Sequence, residues 1–157
     1  MERLNQTILG ISPGTRSIGI GVIRDGELLD ARVKTFPGKW SESKQKTILG
    51  AISKLINDFN VTAVFLKTIH ESRSSAALNQ LIYEIKNLLE KRKTKFCLYT
   101  IIDLKRHCLE RRSGNRRTLM EQITEKYPEL MFDRDKEIKS RNKYYTKMFE
   151  AIGCAML

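Results

Sequence analysis

Residues 8–23 read ILGISPGTRSIGIGVI, and no other stretch of the chain restricts its fold so tightly. Ile8, Leu9 and Ile11 form a short apolar run rich in β-branched side chains, Pro13-Gly14 signals a turn, and Ile18, Ile20 and Val22 alternate with small residues. The pattern predicts a buried strand, a tight turn and an antiparallel return strand. Gly19 and Gly21 carry no side chain, so they either mark a bulge or let another backbone, or a phosphate, come close to one sheet face. An ordinary hairpin with no further role satisfies the same pattern.

Asp25-Gly26 is a two-residue turn signal leading into a third strand over residues 28–36, so the first three strands form a meander. After a loop at 37–41, Ile48, Ile52, Leu55, Ile56 and Phe59 recur at helical spacing, and the β-branched stretch 61–66 reads as a strand. Ala77, Leu78, Leu81, Ile82, Ile85, Leu88 and Leu89 mark a longer amphipathic helix, followed by a fifth strand at 96–99. Thr100 and Asp103 have the spacing of a capping box that opens a short helix to about residue 110. Residues 113–115 break it. Leu119, Ile123 and Tyr127 suggest another helix that Pro128 helps to close, and Met148, Phe149, Ile152, Ala155 and Met156 make a closing one. Between them, residues 133–143 are dense in charge and poor in large apolar side chains, which predicts a solvated, mobile connection. The order requires an α/β domain, a mixed five-stranded sheet flanked by helices, spanning 1–157. In such sheets ligands gather at the carboxyl ends of the central strands, which would bring Ser12, Lys67 and the last helix into one neighbourhood.

With 157 residues and 41% hydrophobic content the chain fits one core. Its 29 lysines and arginines against 18 acids leave a net charge of +11, which attracts polyanions and makes nucleic acid the leading partner class. Charge that serves solubility alone is the competing reading. No strongly amphipathic basic helix, bilayer-length apolar run or signal pattern is seen, so the expectation is a cytoplasmic protein without a membrane partner. Cys97, Cys108 and Cys154 are odd in number and share no CxxC spacing, which argues against a disulfide framework or a zinc site. They are expected to be reduced thiols in or near the core.

Segment 8–23 resembles the opening of the RuvC-like Holliday junction resolvase family, of ribonuclease H-like fold, whose first strand ends in Asp-Pro-Gly-Ser/Thr before a glycine-spaced second strand. TAVFLK at 62–67 is similar to that family's second catalytic strand, and residues 73–80 to the loop and helix start after it. Tyr99-Thr100 with Leu104-Lys105 resembles the segment ahead of a Lys-rich helix, and residues 147–155 resemble the closing Asp-x-x-Asp-Ala helix. The resemblance implies four acids holding two divalent cations, which activate a water and stabilise the leaving oxygen in phosphodiester cleavage. Those acids fall on Ser12, Lys67, Lys147 and Glu150, so only Glu150 keeps a carboxylate and the formal charge goes from −4 to +1. Hard cations need several oxygen ligands and would be repelled, so no cofactor is expected.

The leading expectation is therefore a catalytically degenerate RuvC-like protein that binds branched or structured DNA. Two alternatives stay open. One is an active structure-specific endonuclease, dependent on Mg²⁺ or Mn²⁺, with a rearranged acid set drawn from Glu150, Glu71 and Asp30. The other is a protein-interaction module whose basic face meets an acidic partner. The family's dimer region corresponds to the helix at about 74–91, which implies a homodimer, and His70 stands near a junction-probing aromatic of the family or is a plain surface residue.

For the basic groups, Lys67 and Lys147 either contact a phosphate, with Ser12 donating a hydrogen bond, or pair with Glu150 and merely fill the old site. Lys105, Arg106, Arg111, Arg112, Arg116 and Arg117 cluster around Ser113-Gly114-Asn115, with Arg73 a further candidate contact. Lys91, Arg92, Lys93 and Lys95 add a second basic turn. Tyr144 and Tyr145, among Arg141, Lys143 and Lys147, combine aromatic faces with charge in a way that suits unpaired bases. Each run also reads as a solvated face, and Trp40 as a loop anchor or an exposed contact.

Overall fold

A computed structural model of the chain describes residues 6–108, 116–140 and 144–156, with the side chains of Glu71, Lys105, His107, Cys108, Arg116 and Arg117 outside the described set. β1 (Thr7–Ser12), β2 (Ser17–Arg24) and β3 (Glu27–Thr35) form the antiparallel meander. Asp25 and Gly26 both take positive φ, 50° and 85°, the paired left-handed geometry that a two-residue hairpin turn requires. α1 (Glu42–Phe59) is capped by the Ser41 hydroxyl and leads to β4 (Ala63–Lys67). α2 (Ala76–Lys91) follows, capped by Ser75, and then β5 (Lys95–Tyr99). β4 runs parallel to both β1 and β5, giving the mixed order β3-β2-β1-β4-β5. The long connections through α1 and α2 are what parallel pairing demands.

Strand alternation sends two sets of side chains to opposite faces. Leu9, Ile11, Ile18, Ile20, Val64 and Leu66 pack under α1 and α2, against Ile48, Ile52, Leu81 and Ile85. The other face is covered by α3 (Ile101–Cys108), α4 (Arg116–Lys126) and α6 (Thr146–Ala155), through Leu104, Leu119, Ile123, Phe149 and Ile152. The capping box is present: the Thr100 amide donates to the Asp103 carboxylate at 3.0 Å and the Asp103 amide to the Thr100 hydroxyl at 3.2 Å.

α6 lies directly on β1 and β2. A β-carbon at Gly10 would fall on the Ala151 carbonyl, one at Gly19 on the Lys147 carbonyl, and one at Gly21 would stand 2.8 Å from Ile152 Cγ1. The glycines therefore admit another backbone, that of α6, and the one register shift between β2 and β3 lies at Val22/Ile23 instead.

Two expectations are corrected. Residues 133–143 are not simply a solvated connection, because α5 (Met131–Lys139) extends through them as far as Lys139, leading from a 3-10 turn at Pro128–Leu130. Glu137 on that helix is buried, so charge density there conceals a packed contact. Cys154 is buried as expected, but Cys97 is exposed, because β5 is an edge strand. Among the described residues no helix is long and apolar enough to cross a membrane.

Candidate functional site

The carboxyl ends of β1 and β4 meet the first turns of α6, and the sequence places one polar residue at each. Ser12 pairs with Gly19, so its side chain points to the α6 face, and Lys67 ends β4 on that same face. Between them Glu150, 2% exposed, receives the Ser12 hydroxyl at 3.3 Å on Oε1 and the Lys67 ammonium at 2.7 Å on Oε2. Lys147, one turn earlier on α6, donates to the Pro13 carbonyl at 3.3 Å. The β1–β2 turn is thus tied to α6 by Lys147, whose ammonium lies where a side chain on Gly14 would go.

Lys67, Lys147 and Glu150 open onto a cleft of about 330 Å³, with Ser12 enclosed beneath them. Its lining is apolar at Ile69, Leu78 and Ile82 and polar at Ser17, Thr68 and Thr146, and Tyr144 contributes to it. Tyr144 is exposed and meets Tyr145 edge to face at 4.8 Å, while Tyr145 turns inward against the core.

The donor set does not fit a hard divalent cation. Its one carboxylate is already engaged on both oxygens, one of them by an ammonium, and a cation there would displace a favourable charge pair while facing Lys67 and Lys147. Asp30 cannot complete an acid set: it pairs with Val22, which faces α1 and α2, and it is bound by Arg32 at 2.6 Å on the sheet face opposite Glu150. Among the described residues no three His, Cys, Asp or Glu side chains converge as metal ligands. The Glu71 side chain lies outside the described set, and His70 is exposed and hydrogen-bonded to Ser72 at 2.7 Å.

Ser12, Lys67, Lys147 and Glu150 are thus brought together as their strand ends predict, and Lys67 takes the pairing option. Arg73 is exposed at the end of a 3-10 turn, Glu71–Arg73, just before α2, and Arg106 is exposed on α3. Arg111, Arg112 and Lys143 lie outside the described residues, as do the side chains of Lys105, Arg116 and Arg117. The second basic turn is at the wrong end of the sheet: Lys95 pairs with Ala63 at the amino ends of β5 and β4, and Arg92 binds Ser53 and Asn57 on α1. Trp40 packs half-buried against the α1 core.

Sequence reasoning missed Glu137. Its carboxylate accepts from the Tyr144 amide at 2.8 Å and from the amide and hydroxyl of Thr146, and so holds the amino end of α6. Burial pushes the Glu137 carboxyl up, but hydrogen bonds from the Thr146 hydroxyl and the amides of Tyr144, Tyr145 and Thr146 outweigh this and hold it below its ordinary 4.5. A carboxylate depressed in the fold stabilises it above its unfolded value, and that contribution is lost as pH falls through the folded one. Glu137→Gln is therefore expected to cost about 1–3 kcal/mol at pH 7 and to flatten the decline in stability below about pH 4.5. Urea unfolding at a series of pH values checks this, and parallel acid limbs for the two proteins would refute it.

No protein-family model matches the sequence, and no curated protein matches it. Among solved structures the chain is similar to Thermus thermophilus RuvC, with a TM-score of 0.72 at 14% identity over 96% of this chain and 91% of that one. T. thermophilus RuvC in complex with Holliday junction substrate gives 0.73 at 15% identity, over 96% and 90% of the two chains. The Fowlpox virus resolvase, in complex with its substrate Holliday junction DNA, gives 0.56 at 11% identity, over 96% and 95%. At these identities the likeness establishes the fold, and the chain has that of the RuvC-like Holliday junction resolvases.

Proposed function

We propose that this chain binds branched or structured DNA through its phosphates, as a homodimer, and does not cut it by two-metal chemistry. The observation that carries this reading is the Ser12–Glu150–Lys67 arrangement, in which an ammonium 2.7 Å from the one remaining carboxylate stands where the resemblance puts a metal ligand. The pair leaves no carboxylate for a metal that would activate a water, which supports binding without cutting. Lys147 and the Thr68 hydroxyl add hydrogen-bond donors along the cleft, and Tyr144 offers a face to an unpaired base. Two of the structures of similar fold hold Holliday junction DNA, which favours a branched ligand here. The dimer rests on the correspondence of α2 to the family's dimer region, and that helix leaves Tyr83 exposed.

An electrophoretic mobility assay of four-way junction against duplex tests the reading. Expected are preferential, salt-sensitive binding of the junction at two chains per junction, and no product in Mg²⁺ or Mn²⁺. Absence of binding at low salt would remove the proposal, and cleavage by folded protein would favour the endonuclease alternative.

A further inference from the structure

On the far side of the β1–β2 turn lies a second cavity, of about 650 Å³, lined by Thr15, Arg16, Thr35, Lys39, Trp40 and Lys44 among others, with three cations and no acid among the described residues. Lys44 is its unusual member. It is 9% exposed, and its ammonium makes one hydrogen bond, 2.7 Å to the Gly38 carbonyl, with no carboxylate within 4.0 Å among the described residues. A buried ammonium whose charge is uncompensated is costly, and Lys44 sits in the first turn of α1, where the helix's positive pole disfavours a cation. Both penalties vanish if an anion completes the site. Arg16 and Lys39, exposed at the mouth and without a carboxylate partner among the described residues, would meet the same anion from outside.

We propose that this cavity is a phosphate-binding site, separate from the Glu150 cleft. The two share the turn at residues 13–17: Pro13 and Ser17 line the cleft, Thr15 and Arg16 the second cavity. A strand lying across the turn therefore places one phosphate on each side of it. That strand is the occupant inferred here, which rests on the nucleic-acid reading above. Free phosphate or pyrophosphate shares the chemistry and is separated by the test.

Trp40 is the only tryptophan in the chain and lines the cavity, so its emission reports occupancy directly. Wild-type protein is titrated with inorganic pyrophosphate and with a four-way junction. Expected are saturable changes in Trp40 emission with both, and loss of the pyrophosphate response in Lys44→Met. The Arg16→Ala/Lys39→Ala double variant, which changes exposed side chains only, is expected to bind the junction about tenfold more weakly near 0.1 M salt, with the salt slope smaller by about 1. Lys54→Ala, on the exposed face of α1, should leave that slope unchanged. Lys44→Met is expected to melt no lower than wild type, since it removes a buried charge, whereas a purely structural lysine would lower the melting point. If Lys44→Met does not fold, the double variant carries the test.

A pyrophosphate response without any junction binding supports the cavity as a small-phosphate site and removes the nucleic-acid reading. Junction binding with Trp40 silent to both ligands, and a salt slope unchanged in the double variant, overturns the cavity and leaves that reading standing.

Discussion

Alanine at Gly10 or at Gly19 is expected to destabilise the protein by about 3 kcal/mol or more, and the two together to prevent folding. Overpacking a core commonly costs about 1–3 kcal/mol, because flexible side chains yield to the intruding methyl. Here the obstacles are the Ala151 and Lys147 carbonyls, backbone atoms of α6 that cannot turn aside. Relief requires α6 to lift from the sheet, which would loosen Phe149 and Ile152 and pull Glu150 from Ser12 and Lys67. Gly50, on the exposed side of α1 with nothing within 4 Å of a β-carbon, supplies the contrast. Gly50→Ala should stabilise by roughly 0.5–1 kcal/mol, since glycine is the weaker helix former. Urea unfolding of the three single variants decides the matter, and a Gly19→Ala protein within about 1 kcal/mol of wild type would mean that α6 does not lie where its carbonyls require.

Glu150→Gln is expected to weaken the fold yet strengthen DNA binding. Removing one partner of a buried ion pair costs about 3–5 kcal/mol, but the Lys67 side chain keeps 16% exposure through the cleft and can hydrate, so about 2–3 kcal/mol is expected. The same change frees the Lys67 ammonium and removes a negative charge that repels phosphate, so junction affinity should rise severalfold. Lys67→Met also loses stability, because it strands the Glu150 carboxylate, but its affinity should fall. Opposite signs in binding with one sign in stability distinguish a site where the pair restrains Lys67 from one where it only fills space. If both variants bind as wild type does, the cleft is not the phosphate contact. The double variant Lys67→Met/Glu150→Leu should regain most of the stability, as apolar replacement of a buried pair commonly does.

Much of this was legible along the chain. The meander follows from alternation and from Asp25-Gly26, whose residues both need the left-handed region. The cap on α3 follows from Thr100 and Asp103, three residues apart, because a first-turn amide and a side-chain oxygen meet at that spacing. Ser12 and Lys67 were placed together by a rule of topology, that the ends of adjacent parallel strands lie side by side. Glu137 was illegible for the opposite reason. Six of the nine residues of α5 are charged, a pattern that reads as solvated, and its carboxylate finds its partners in Tyr144 and Thr146, at the start of another helix. Arg92 and its neighbours resembled a nucleic-acid contact in composition, yet the parallel strands put them at the end of the sheet away from the cleft.

Periodicity, turn residues and caps act between near neighbours, so the sequence by itself determined the five strands, the helices other than α5, their order, the basic character of the chain and the lack of acids at three of the four positions of the resemblance. Which option each residue takes depends on atoms distant in the chain. Gly19 and Gly21 could have met a phosphate or a backbone, and the crossing of α6 chose the backbone. Lys67 could have faced a ligand or a carboxylate, and the 83 residues separating it from Glu150 are closed by the tertiary fold into a contact of 2.7 Å. Packing alone sets that distance, and a short range between charges decides whether a lysine is a bound counter-ion or a free hand for phosphate.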